Sequence, residues 1–130
     1  MFSEINRLLG TSVPILVVIL ACIAVPTTAL AGTIYDGDWN ILILTHGGTC
    51  ESTLRYGVQI ADGVVINDGG VLAKVQGRVT AGGTVRVTVR SGSQWADGSG
   101  LLSKNRGRGA WRGQGTNGAC RGSWVAERRD

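Results

Sequence analysis

Residues 106–128 read RGRGAWRGQGTNGACRGSWVAER, and this glycine-rich stretch contains the clearest structural pattern in the chain. Polar residues alternate with glycine and tryptophan on both sides of Asn117-Gly118, a dipeptide typical of two-residue hairpin loops. With Asn117-Gly118 as the loop, Trp111 lies opposite Trp124 in an antiparallel strand pair. The alternation places both rings on one face of that pair, so the stretch predicts a β-hairpin.

The preceding turn extends this pattern to a third strand. With Asn105-Arg106 as a second two-residue loop, Gly100 lies opposite Trp111. A large ring then meets a small neighbour on one face of the sheet. Glycines inside strands also permit the bends that a small closed barrel needs, so the sequence favours closure of the sheet.

Seven turn signals divide the chain after Gly32 into eight short runs in which polar and apolar residues alternate. No run has the periodicity of an amphipathic helix, and a spacing of roughly 8 to 13 residues is typical of an antiparallel meander. The sequence therefore predicts an all-β fold with eight antiparallel strands closed as a barrel; the alternative is a two-sheet sandwich. The signals are His46-Gly47-Gly48, Asp62-Gly63, Asp68-Gly69-Gly70, Ala81-Gly82-Gly83, Ser91-Gly92-Ser93, Asn105-Arg106-Gly107 and Asn117-Gly118.

Length and composition set further limits. The chain has 130 residues, which is enough for one small domain and excludes a multidomain enzyme. It contains 21 glycines but only 2 prolines, and the glycines follow no strict period. Collagen and proline-rich disordered proteins are therefore excluded.

The N-terminal segment has the features of a signal peptide. Arg7 precedes an apolar run, and Thr28-Ala29-Leu30-Ala31 ends in small residues at the spacing that signal peptidase needs. We expect residues 1–31 to be removed, leaving residues 32–130 as a single β-barrel domain. Such a protein would be periplasmic or secreted.

Two alternatives for this segment stay open. Residues 8–25 approach the length of a membrane span, although Pro14 and polar neighbours dilute the run, so an uncleaved anchor would hold the protein on the membrane. The residues before Cys22 loosely resemble a lipobox, which would make the chain a lipoprotein.

Export leaves two cysteines in the predicted domain, Cys50 and Cys120. In an oxidising compartment this pair is expected to form a disulfide bond, closing a loop of about 70 residues and stabilising the fold by about 4 kcal/mol. Cys50 follows the first predicted strand and Cys120 begins the eighth. The bond would therefore join the two margins of the sheet where a barrel closes.

Gly37-Asp38-Trp39, which leads into the first strand, resembles the G-x-W opening of lipocalin and avidin-like barrels. The same triplet recurs at Gly109-Ala110-Trp111 and Gly122-Ser123-Trp124. The lipocalin resemblance implies that Trp39 closes the base of the barrel against an arginine of the last strand, here Arg128 or Arg129. It also implies an internal pocket for a small apolar or aromatic ligand.

Two further resemblances concern the layout of the chain. An export signal, a first-strand tryptophan and one disulfide in about 100 residues are similar to small periplasmic barrel inhibitors of metalloproteases. The run Cys120-Arg121-Gly122-Ser123-Trp124 resembles the end of glycine-rich exported proteins of alphaproteobacteria. The second resemblance covers the whole predicted domain but implies no activity.

Residues suited to catalysis are few. His46 is the only histidine and is expected in a solvated turn, with no nucleophile near it in sequence. Asp62, Asp68 and Asp97 neighbour glycines and fit turn-forming hydrogen bonds, although paired carboxylates across a barrel mouth stay an alternative. We therefore predict a protein that is not an enzyme and that has no metal site and no cofactor.

The formal net charge of +4 raises the question of an anionic partner. With Ala81-Gly82-Gly83 as a three-residue loop, Arg78 lies opposite Arg86 and Lys74 lies opposite Arg90, all on one face. Because opposed like charges destabilise a sheet, these four cations are a candidate site for an anionic envelope component or an acidic protein. The alternative is a solvated outer face that resists aggregation. Nucleic acid fits the charge but not the compartment.

Two apolar regions are also candidates for binding. Leu42 and Leu44 are expected on the outside near Val125, as a partner surface or as a patch covered by Thr33-Ile34-Tyr35. The interior is the other region, and we expect it to be filled, because an eight-stranded barrel is just wide enough for its own side chains. The candidate core or pocket residues are Trp39, Tyr56, Trp111 and Trp124, with Val58, Val75 and Val87.

These features predict an exported, non-catalytic binding or inhibitor module of the cell envelope. The first alternative is a structural envelope protein with no specific ligand. The second is a lipocalin-like carrier of a small apolar ligand.

Overall fold

The computed structural model describes residues 17–19, 21–22, 33–67 and 73–129. Most of the predicted signal peptide, its cleavage site and the turn signal at Asp68-Gly69-Gly70 lie outside these residues. Among the described residues, no helix is long and apolar enough to cross a membrane.

Eight strands in this part of the chain form a closed antiparallel barrel in which each strand pairs with the next one in sequence. This arrangement confirms the predicted fold and excludes the two-sheet sandwich, because β8 pairs with β1 as well as with β7. The strands are β1 (Gly37–Gly47), β2 (Thr53–Ala61), β3 (Val64–Asn67), β4 (Lys74–Val79), β5 (Thr84–Ser91), β6 (Gln94–Leu102), β7 (Arg106–Gly115) and β8 (Gly118–Arg128).

The predicted disulfide bond is confirmed at the seam between β1 and β8. It joins Cys50, in the loop after β1, to Cys120 near the start of β8, with their Cα atoms 6.1 Å apart. The amide of Cys50 also donates a hydrogen bond to Cys120 Sγ at 3.1 Å. A disulfide is compatible with an oxidising envelope compartment or secretion.

The β4–β5 hairpin has the predicted register. Arg78 lies opposite Arg86 and Val79 lies opposite Val85, with Ala81-Gly82-Gly83 as the loop. The two C-terminal hairpins differ from prediction. Their loops are Lys104-Asn105 and Thr116-Asn117, each one residue earlier than expected.

The shift changes the partners of the tryptophans. Trp111 lies opposite Gly98 and Gly122, and Trp124 lies opposite Gly109, so the predicted pairs of Trp111 with Trp124 and with Gly100 are wrong. A one-residue shift in a loop moves the pairing by two residues and keeps each side chain on its face. Both rings therefore remain inside the barrel, each beside a glycine.

One end of the barrel, which we call the base, contains the packed core. Its buried side chains come from the start of the odd-numbered strands and the end of the even-numbered strands, together with Tyr35 from the segment before β1. Trp39 at its centre is fully buried. The core consists of Tyr35, Trp39, Ile60, Val65, Val79, Val85, Leu102, Trp124 and Ala126.

Arg128 closes the base from below, as the lipocalin resemblance implied for Arg128 or Arg129. Its guanidinium lies 4.7 Å from the centre of the Trp39 ring and donates hydrogen bonds to the carbonyl oxygens of Asp36 at 2.6 Å and Ile34 at 2.7 Å. Trp39 Nε1 donates to the carbonyl oxygen of Tyr35 at 2.8 Å. Residues 33–36 are thus held across the base. They do not cover the outer surface near Val125, which is 41% exposed.

The side chain of Asp36 fixes this segment to the β2–β3 turn. It accepts hydrogen bonds from the amides of Asp62 at 2.8 Å and Gly63 at 3.1 Å, and from Thr33 Oγ1 at 2.7 Å. Burial alone would raise the pKa of the Asp36 carboxyl, but these hydrogen bonds outweigh it and lower the pKa below its ordinary value.

Candidate functional site

The barrel contains a cavity of about 640 Å³. Its floor is the packed base, and its mouth lies at the opposite end, where residues such as Thr49 and Thr116 from the loops line it. Val75 and Val87 face this space and are only half-buried. The expectation of a filled interior is therefore wrong.

Trp124 explains part of this open volume, because its ring lies against the wall rather than across the interior. A Cβ added to Gly109 would lie 2.5 Å from Trp124 Cε2, and one added to Gly100 would lie 2.6 Å from Trp124 Cζ2. The indole nitrogen donates a hydrogen bond to the carbonyl oxygen of Ser99 at 3.2 Å. The ring, together with backbone oxygens of the neighbouring strands, thus occupies the room that side chains at these two glycines would need.

The ring of Trp111, which belongs to β7, is also held against the wall, but it lies over β8 and reaches β1. Its Nε1 donates a hydrogen bond to the carbonyl oxygen of Leu44 at 3.1 Å, and a Cβ on Gly122 would lie 2.7 Å from that nitrogen. The register of β1 and β8 shifts nearby, between Thr45 and Gly47. Both indole N–H groups are therefore satisfied by backbone oxygens, which buried tryptophans need.

The wall on the side of β2 to β5 is made of smaller aliphatic side chains. Val58, Val75, Val87 and Val89 line the cavity there, and Tyr56 lies nearer the mouth. All four aromatic residues singled out from the sequence line the cavity, as do the three valines named with them.

The mouth differs from the floor in polarity. Thr45, Asn67, Gln94 and Gln114 line the cavity at this end, and three of them hydrogen-bond to neighbouring groups there. Thr45 Oγ1 donates to the carbonyl oxygen of Glu51. Gln94 Nε2 donates to Thr116 Oγ1 at 3.0 Å, and Asn67 Nδ2 donates to a backbone oxygen at 3.2 Å. The site therefore combines an apolar interior with neutral hydrogen-bonding groups at its entrance.

Glu51 and Tyr56 are the ionisable side chains among the described residues that line the cavity. Burial, and secondarily the nearby charge of Glu51, raise the pKa of the Tyr56 phenol above its ordinary value. The hydroxyl is therefore protonated at neutral pH and is able to donate a hydrogen bond. Sequence reasoning missed Glu51, because it lies in a loop with no pattern to mark it.

The four candidate anion-binding residues lie outside the barrel, on neighbouring positions of β4 and β5. Lys74 is opposite Arg90 and Arg78 is opposite Arg86, and all four side chains are exposed. Val64, on β3, is the partner of Arg78 on the other side and is 38% exposed. This outer surface is separate from the cavity.

The remaining polar candidates have structural partners. His46 lies in β1 rather than in a turn, and its Nε2 is 2.7 Å from Ser123 Oγ on the exposed face. Asp97 lies in β6, also not in a turn, and accepts a hydrogen bond from Thr88 at 3.0 Å. No group of three potential metal ligands occurs among the residues that the structure describes.

The site is therefore a hollow barrel with a packed floor, an apolar wall shaped by glycines and a polar mouth. Comparison of the chain with known protein families, curated proteins and solved structures finds no match.

Proposed function

We propose that this protein is an exported, non-catalytic binding protein that holds a small apolar ligand inside its barrel. The observation that carries the proposal is the cavity of about 640 Å³ with its apolar wall. Ligand pockets typically measure about 300 to 1,000 Å³ and are lined mainly by hydrophobic and aromatic side chains with a few polar groups. The internal volume and its lining both fit that description.

The same observation argues against a purely structural role. A barrel with no ligand gains stability when its interior is filled, because side chains that line an empty space lose dispersion contacts. Here the glycines at positions such as 98, 100 and 109 keep that space open, while the base of the same barrel is fully packed.

Binding of N-phenyl-1-naphthylamine, a neutral fluorophore, to the disulfide-bonded chain tests the proposal. We expect saturable binding at one site per chain, with quenching of tryptophan emission because Trp111 and Trp124 line the cavity. Val87→Phe places a ring on the inner face of β5 and should weaken binding at least tenfold.

Thr84→Phe is the matched control, because it places the same ring on the exposed outer face of the same strand. Its affinity should equal that of the unmodified chain. Absence of saturable binding, or equal weakening by both substitutions, would contradict an internal site.

A second candidate function is attachment to the surface of an anionic membrane through the outer face of β4 and β5. The specific observation is the confirmed register, which sets Lys74 beside Arg90 and Arg78 beside Arg86. On β3, Val64 is opposite Arg78 and is 38% exposed, and Ile66, two residues further along the strand, is 41% exposed. Exposed aliphatic groups beside cations fit the interface of a bilayer with anionic headgroups.

Co-sedimentation with phosphatidylcholine vesicles, with and without phosphatidylglycerol, tests this second function. We expect binding only to the anionic vesicles, with a steep loss as salt rises. Arg78→Glu with Arg86→Glu should abolish it. Arg55→Glu with Arg108→Glu changes the net charge equally on other strands and should retain most binding; equal loss in both double variants would reduce the effect to net charge alone.

A further inference from the structure

Among the described residues that line the cavity, charged and neutral polar side chains lie only at the mouth. The sign of the charge there has a consequence for the ligand. Toward the base, the lining consists of aliphatic and aromatic side chains such as Ile41, Ile60 and Leu102. The polar groups come from the strand ends at the mouth, the loop after β1 and the β7–β8 turn. A bound amphiphile would therefore lie with its apolar body toward the base and its head group at the mouth.

The cations of this basic protein do not line that space. Among the described residues that form the cavity there is no lysine or arginine, although the chain contains 13 of them. Strand alternation explains the separation: Lys74 and Arg90 are close to the mouth end, but they alternate with Val75 and Val89 and lie on the outer face. Arg128 lies beneath the base, on the far side of Trp39.

Glu51 gives the mouth the opposite charge. It is the one carboxylate among the described lining residues, and it lies close enough to Tyr56 for its charge to act on the phenol. Tyr56 lines the cavity and its hydroxyl has no hydrogen-bond partner among the described residues, so it is available to a ligand.

We infer that this cavity selects amphiphiles with a cationic head group, with Glu51 as the counter-ion and the Tyr56 hydroxyl as a hydrogen-bonding group, and discriminates against anionic head groups. The inference rests on the proposed function, since it concerns the ligand of the same cavity. An ammonium head gains a charge-assisted hydrogen bond at Glu51. A carboxylate head meets a like charge there, without a cation on the inner face to offset its lost hydration.

Three ligands with the same hydrocarbon chain separate the contribution of the head group from that of the apolar body. Dodecylamine, dodecanol and dodecanoate are titrated at neutral pH against the disulfide-bonded chain, below the concentrations at which they form micelles, by displacement of N-phenyl-1-naphthylamine. We expect the affinity to fall from the amine to the alcohol to the carboxylate, with at least a tenfold difference between the first and the last.

Glu51→Gln identifies the group responsible. It should reduce the affinity for dodecylamine several-fold toward that of dodecanol and leave dodecanol unchanged, whereas Glu51→Lys should reverse the order of amine and carboxylate. Glu127→Gln, which removes a carboxylate from the exposed outer face of β8, is the control and should change none of the three affinities.

The outcomes separate this inference from the proposed function. Equal or tighter binding of dodecanoate than of dodecylamine to the unmodified chain would overturn it, as would an unchanged order in Glu51→Gln, while binding of dodecanol and the neutral fluorophore would still support a ligand cavity. If neither the fluorophore nor dodecanol enters the barrel, the proposed function and this inference both fail.

Discussion

The two ends of the barrel are built from the same alternating strands but differ in packing. At the base, Trp39 is fully buried, and Ile60 and Ala126 beside it are 4% and 2% exposed. At the mouth, Leu54 and Tyr56 belong to the inner face of the same strand, β2, as Ile60, yet they are only half-buried. Alternation therefore determines which side chains point inward, but not whether they meet each other.

The two ends differ in whether a segment of the chain covers them. The base is covered by residues 33–36, which Arg128 and Asp36 hold by hydrogen bonds, so the inward side chains pack against a lid made of the chain itself. In the part of the chain that the structure describes, polar loop residues line the mouth and no segment crosses it as residues 33–36 cross the base. The stability of the barrel should accordingly come from the base, and its binding activity from the mouth.

Truncation of one inward-facing side chain at each end gives the largest expected effect. Trp39→Ala should lower the free energy of unfolding by about 3 to 5 kcal/mol, because it removes a fully buried ring. Leu54→Ala at the mouth removes a half-buried side chain and should lower it by about 1 kcal/mol. Urea unfolding followed by far-UV circular dichroism measures both. Similar losses for the two variants would show that the ends do not differ in packing.

Substitution of a glycine that packs against Trp124 should have the next largest effect on stability. Gly109→Ala places a methyl group against the backbone oxygen of Ser99 and 2.5 Å from the Trp124 ring, and should destabilise the protein by about 1 to 3 kcal/mol through overpacking. It should also push the indole into the cavity and weaken binding of the neutral fluorophore. Denaturation and the binding titration used above measure the two changes.

Gly82→Ala is the control for this substitution. Gly82 lies in the β4–β5 loop, and a Cβ there would have only Thr80 Oγ1 near it, at 3.9 Å. We expect a change of less than about 0.5 kcal/mol. A Gly109→Ala variant as stable as Gly82→Ala would exclude the close packing of Trp124 on its glycine.

Much of the fold was predictable, because alternation and turn residues act locally. The Ala81-Gly82-Gly83 loop gave the correct register of β4 and β5. Each of the two C-terminal loops lies one residue earlier than predicted. The hydrophobic pattern does not distinguish the two positions, because a shift of two residues in pairing leaves Trp111 and Trp124 on the inner face. The two registers differ in the loop residues and in the contacts between rings and glycines.

The site was less predictable for a related reason. A sequence pattern places Trp124 inside the barrel, but the direction of its ring depends on glycines of two other strands and on the backbone oxygen of Ser99. The expectation of a filled interior came from the width of an eight-stranded barrel, which does not determine the direction in which each ring points. The arginine that packs on Trp39, in contrast, could have been identified from the alternation of inward and outward residues. Inward residues of β8 have even numbers, which indicates Arg128 rather than Arg129.

The smallest expected effect concerns pH and the cover of the base. Hydrogen bonds lower the pKa of the Asp36 carboxyl in the folded state, so their contribution to stability is complete above the ordinary carboxyl pKa and is lost as the pH falls through the lowered value. Asp36→Asn keeps an acceptor oxygen but does not titrate. It should therefore lose less stability than the unmodified chain between about pH 6 and pH 3, by under about 1 kcal/mol because the carboxyl is largely solvated.

Asp38→Asn is the matched control for this pH dependence, since it removes an exposed carboxylate on β1 two residues away. Urea unfolding of the three proteins at several pH values gives the slopes, and the control should follow the unmodified chain. Identical slopes for Asp36→Asn and the unmodified chain would mean that the Asp36 carboxyl does not hold residues 33–36 in place. The cover of the base would then depend on the hydrogen bonds of Arg128 and Trp39 to residues 33–36.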